Sequence, residues 1–152
     1  MAYKVVINTY SDVFCLSVEA EKLFWERKLN KEIFVYEYNS ETDDYTKVID
    51  LTQASEWNVH FTEEDYGENP DDLTLELILA RVERHDPVLV QIVEELGEKA
   101  GGECSRLRVK EIPCPVYKIM KCIGGELIRT PFEDDDWTVI NEEQKWSQWF
   151  LE

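Results

Sequence analysis

RHDPVLVQIVEELGEKAGGECSRLRVKEIP, residues 84–113, reads as one helix followed by one strand, and that pairing decides the fold class. Asp86 suits a helix N-cap, since its short carboxylate can accept from the free backbone N–H groups of the first turn. Pro87 follows at the first helical position, where its missing N–H is no loss. Val88, Leu89, Ile92, Val93 and Leu96 then form an apolar stripe, with Glu94, Glu95 and Glu98 left facing water. Gly101 and Gly102 supply the stop, so the expected helix spans 86–100. Gly97 is the odd residue, because glycine inside a helix costs about 1 kcal/mol against alanine. It marks either close packing by another backbone or an early helix end. In 105–112, Leu107 and Val109 alternate inward against Arg106, Arg108 and Lys110, the pattern of a half-buried strand with a basic outer face.

Working outward, YKVVINT (3–9) reads as a strand. Ser17 caps a second amphipathic helix over 17–29, with Glu19 and Glu21 in its first turn and Leu16, Ala20, Leu23 and Phe24 on one face. EIFVYEY (32–38) and YTKVIDL (45–51) form a hairpin pair across a polar loop, and 53–72 reads as acidic loop with a short apolar piece at 58–61. DLTLELILARV (72–82) fits both periods, and its Leu, Glu and Ala content makes a helix the expectation. VYKIMKCI (116–123), Gly124-Gly125 and ELIRT (126–130) form a tight hairpin, and 142–150 reads as an aromatic helix or docked tail. The whole is expected to be one α+β domain over 1–152. Its mixed or antiparallel sheet is covered by two main amphipathic helices and carries an acidic insertion and an acidic aromatic tail.

Charge narrows the partners. The 152 residues carry a formal charge of −17. Residues 39–80 hold twelve acidic side chains against Lys47 alone, and 131–152 hold seven against Lys145, while the rest is near neutral. Direct nucleic-acid binding is disfavoured, because a duplex repels such a surface. A protein with a basic surface is the favoured partner. Four cysteines without a CxxC pair, an opening that runs straight into a strand, and no apolar run of membrane-spanning length predict a reduced, non-secreted protein with no membrane association.

Four separated pieces carry a resemblance. Ile7, Asn8, Thr9, Phe14, Leu16 and Ser17 match an IN-T-C-Y-G-G-F-x-L-S opening. Arg84, Asp86, Pro87, Leu89, Val90, Val93, Glu94, Leu96 and Gly97 match R-x-D-P-x-L-V-x-x-V-E-x-L-G. Glu111, Ile112 and Pro113 match a strand ending E-I-P, and Tyr117, Ile119, Gly124, Glu126, Arg129 and Thr130 match the closing hairpin. In these respects the chain resembles a scattered family of small proteins encoded by bacteriophages and other viruses, over about half its length. The resemblance implies a viral origin and a fold but no reaction, and places the chain in the host cytoplasm or the virion. It departs from the family pattern at Ser11, Asp12 and Val13, at Lys121, Cys122 and Ile123, and at Pro131.

Catalytic constellations are thin. Arg84-His85-Asp86 offers an acid or base with an orienting carboxylate, but Asp86 is already explained as a cap. His60 and His85 are the only histidines, which excludes a His-rich metal site. A Cys–His nucleophilic pair needs the fold to bring a cysteine to one of them. Glu133 and Asp134 to Asp136 lack the glycine-bearing loop of a calcium site and read as a solvated turn. No phosphate-cradling or dinucleotide motif appears. The expectation is therefore no catalytic residue, no metal and no cofactor. What remains for binding is Arg84 with Arg106 and Arg108 for a small molecule or nucleotide, and Trp137, Trp146 and Trp149 as anchors for a partner or a second copy. The leading expectation is a viral accessory protein that binds and inhibits a host component, in one version as a DNA mimic. A virion or assembly component forming homo-oligomers is the second, and the small-molecule binder the third.

Overall fold

Ser17 and Asp86 start the two helices as their chemistry requires. In the computed structural model, which describes residues 3–70, 75–130 and 138–140, the Ser17 hydroxyl accepts from Ala20 N at 3.1 Å and opens α1 (Val18–Leu29). Asn30 closes it in the left-handed region at φ 54°. Asp86 Oδ1 accepts from Val88 N at 2.9 Å and opens α2 (Pro87–Leu96), which buries Leu89, Val90, Ile92 and Val93. The α-helix stops earlier than the expected 86–100. Gly97 takes φ 59°, a conformation that side-chain-bearing residues rarely adopt, and 97–100 tightens into a single 3₁₀ turn. Open space surrounds Gly97, so it is an early end and not a packing glycine. Gly101 and Gly102 serve packing instead. A Cβ on Gly101 would stand 2.7 Å from the Ser105 carbonyl oxygen, and one on Gly102 2.6 Å from the Glu56 carboxylate.

β1 (Tyr3–Asn8) pairs antiparallel with β5 (Leu107–Ile112), Tyr3 opposite Ile112 and Asn8 opposite Leu107. Alternation along β1 splits its apolar residues between two clusters. Val6, with Leu107 and Val109, joins the main core under α1 and α2; Val5 and Ile7, with Ile112, join a smaller one against Tyr117, Ile119 and Ile128. The strand is thus covered on both faces.

A second antiparallel sheet runs β3 (Asp44–Lys47), β2 (Phe34–Asn39), β4 (Val59–Thr62), and sends Val35 and Phe61 into the main core. A third runs β7 (Gly125–Arg129), β6 (Val116–Cys122), β8 (Thr138–Val139). The α+β class holds, with three small antiparallel sheets in place of one. Further expectations change: the expected 45–51 strand ends at Lys47, and Leu51 opens a 3₁₀ turn. The apolar piece at 58–61 is a strand, because His60 and Phe61 pair with Tyr36 and Val35. Residues 75–82, expected as helix, carry no helix. They lie extended beside β4, Ile78 N donating to Phe61 O at 2.8 Å and Leu77 bridging Thr62. An open strand edge has outweighed intrinsic propensity. No helix among the described residues is long and apolar enough to cross a membrane.

Candidate functional site

β1 ends against the hairpin of β6 and β7, and there the separated sequence pieces meet. Along β7, Leu127 points out while Glu126 points in with Ile128, inverting the usual placement. The Glu126 side chain is fully buried. Its Oε1 accepts from Arg84 Nη1 at 2.6 Å and from Asn8 N at 2.8 Å, and its Oε2 from Arg84 Nη2 at 2.8 Å. This is a bidentate carboxylate–guanidinium pair with a backbone donor added, a strong form of hydrogen bonding. The guanidinium also lies 3.6 Å from the centre of the Phe14 ring, in cation–π contact. Burial pushes the Glu126 carboxyl up, but the Arg84 hydrogen bonds, the Asn8 N–H and the nearby positive charge outweigh it and hold the group below its ordinary value.

Asn8 is the second hub and is completely buried. Its amide nitrogen donates to Val13 O at 2.8 Å and to Cys104 O at 3.2 Å, and its Oδ1 accepts from Tyr10 N and Arg106 N at 3.0 and 2.9 Å. One side chain therefore ties the end of β1 to the segment before α1 and to the start of β5. Gly125 permits the approach of the hairpin: at φ 133°, a Cβ there would stand 2.9 Å from the Thr9 backbone.

Arg84, His85 and Asp86 address three different partners. Arg84 meets Glu126, His85 Nδ1 lies 2.8 Å from the Tyr117 hydroxyl, and Asp86 caps α2 while pairing with Lys28 at 2.6 Å. Burial raises the Tyr117 hydroxyl far above its ordinary value, so it stays protonated. Arg106 stacks on the Tyr10 ring at 5.3 Å, and the Arg106 and Arg108 side chains are exposed, whereas Arg84 is turned inward. Trp137, Trp146 and Trp149, the 142–150 segment and the Asp134 to Asp136 run lie outside the described residues.

The neighbours of Cys15 are Ser105 Oγ at 3.4 Å and Glu56 Oε1 at 3.7 Å, and burial pushes the thiol up, away from the nucleophilic thiolate. No cluster of His, Cys, Asp and Glu among the described residues is arranged to hold a metal ion. The centre joining Asn8, Arg84 and Glu126 is tied by internal hydrogen bonds that link β1, the segment before α2 and β7. Glu126 was part of the resemblance but not a candidate site residue. Its one local signal is sharing a strand face with Ile128.

The acidic section is the opposite case. Glu41, Asp43, Asp44, Asp50, Glu63, Glu64, Asp65, Glu68 and Glu76 are all exposed around the second sheet. Among the described residues, the cations paired with them are Lys47, 2.9 Å from Asp65, and Lys31, 3.6 and 3.7 Å from Glu63 and Glu64. No protein-family model, curated protein or solved structure matches the chain.

Proposed function

We propose that the chain is a non-enzymatic binding protein that engages a basic surface on a partner protein, in the manner of a viral accessory protein acting on a host component. The observation that carries this reading is the excess of exposed carboxylates over cations around the second sheet. An unneutralised field of one sign steers a partner of the other sign and selects it by charge. The pairing of the Arg84 and Glu126 side chains with each other inside the fold supports the non-enzymatic part.

The test is co-purification from a host lysate over rising salt, with the mass of any complex read by light scattering. The expected result is a discrete complex with a basic or nucleic-acid-binding protein that weakens as salt screens the exposed charges. A salt-insensitive partner would overturn the reading.

A second reading, self-assembly, has its own observation. Met120 and Leu127 are cross-strand neighbours on the outer face of the hairpin, and Ile123 at its tip is 94% exposed. A stable homo-oligomer with no partner in the same experiment would favour it.

A further inference from the structure

An open groove of about 400 Å³ lies between the C-terminal end of α1 and the extended 76–80 segment. Its apolar wall is Trp25, Leu29 and Leu79, and its rim carries Glu63, Glu64 and Glu76. Leu79 is 82% exposed although its neighbour Ile78 packs into the core, so the chain presents this leucine to solvent across the groove from α1. The Trp25 indole N–H is already bound to Glu21 at 3.2 Å, which leaves an apolar surface on the groove side.

The rims are held in place. The Tyr36 hydroxyl, from the buried side of β2, accepts from Tyr66 N at 2.8 Å and donates to Gly67 O at 3.0 Å, and the Tyr66 hydroxyl accepts from Glu76 N at 3.2 Å. Charge is left over as well. Lys31 approaches Glu63 and Glu64 only at 3.6 and 3.7 Å, and the Glu76 carboxylate has no cationic partner among the described residues.

An apolar groove rimmed by carboxylates is complementary to one kind of occupant. We infer that this groove docks a basic peptide segment of a partner protein, one large apolar side chain lying between Leu29 and Leu79 and flanking Lys or Arg side chains meeting Glu63, Glu64 and Glu76. The inference rests on the reading of the chain as a binder of basic proteins and adds the place and the apolar anchor.

Fluorescence anisotropy tests it with two short labelled peptides of equal positive charge, one with lysines flanking a Trp-Leu pair and one with serines replacing that pair. The expected result is tighter binding of the Trp-Leu peptide, with about a tenfold loss for Leu79→Ser on that peptide and none on the serine peptide. Glu76→Lys should weaken both. Leu79 is exposed, so the variant should keep the wild-type circular dichroism spectrum. Equal binding of the two peptides, unchanged by Leu79→Ser, would overturn the groove and leave the general acidic surface standing. No binding of either peptide at low salt would overturn both. A dimer that Leu79→Ser converts to monomer would make a second copy the occupant and overturn the peptide assignment.

Discussion

The centre at Glu126 and the acidic surface around the second sheet use the same functional group to opposite ends. Glu126 is sealed from water and receives three hydrogen bonds, two of them from one guanidinium. Glu41, Asp43, Asp44, Asp50, Glu63, Glu64, Asp65 and Glu68 are exposed, and among the described residues only Lys31 and Lys47 form ion pairs with them. A buried charge must be answered inside the fold, because desolvation is not recovered elsewhere. An exposed charge carries no such demand and is free to be answered by another molecule. The contrast separates the charges that hold this protein together from those that face outward.

Breaking the buried pair on one side should have the largest effect. Glu126→Gln leaves the Arg84 charge buried without its counter-ion and should lower unfolding stability by about 3–5 kcal/mol in urea titration. The double variant Arg84→Met, Glu126→Leu should lose less than that single change. An equal loss in both would mean the pair is not a coupled unit.

Acid sharpens the same point. The folded Glu126 carboxyl titrates below its ordinary value of 4.5, so the unfolded chain takes up the proton first. Its stabilisation is full above that ordinary value, shrinks as pH falls below it, and is gone once pH passes under the folded value. Glu126→Gln should remove this component from a stability-versus-pH curve.

Asn8→Ala strips bonds from three segments and should cost about 1–3 kcal/mol. Asp86→Ala removes a helix cap and should cost about 1 kcal/mol, with a small addition from the half-exposed Lys28 pair. The smallest change in stability, under about 0.5 kcal/mol, should come from Glu41→Gln with Glu68→Gln on the exposed side. If that double variant instead lost stability like Asn8→Ala, the division between inward and outward charge would fail.

Legibility followed the range of the interactions. Both helix starts could be read because a cap needs only residues within one turn, and Ser17, Asp86 and Pro87 supply it. The closing hairpin could be read because its strands adjoin, although its turn falls at Ile123 and Gly124 and not at the expected Gly124-Gly125, since Cys122 pairs with Gly125. The 75–82 segment could not, since its leucines fit two periods and the open edge of β4 decided between them. The partnership of Arg84 with Glu126 has no local trace at all. It exists only because β7 is brought across the end of β1, where Gly125 lets two backbones touch. The groove at Leu79 likewise depended on losing the expected helix. An exposed leucine reads as a defect in a helix and as a feature in an extended rim.

The pairing of β1 with β5 also governs how this chain reaches its native state. Tyr3 must find Ile112, and both apolar clusters draw on the strand that waits for that meeting. The loop to be closed spans most of the described chain, so the entropic barrier is met before the contacts that repay it. Refolding should therefore be slow for a protein of this size. During synthesis, β1 stays without its partner until β5 has been made, and its run of Val5, Val6 and Ile7 is the stretch that a chaperone or an aggregate would find first.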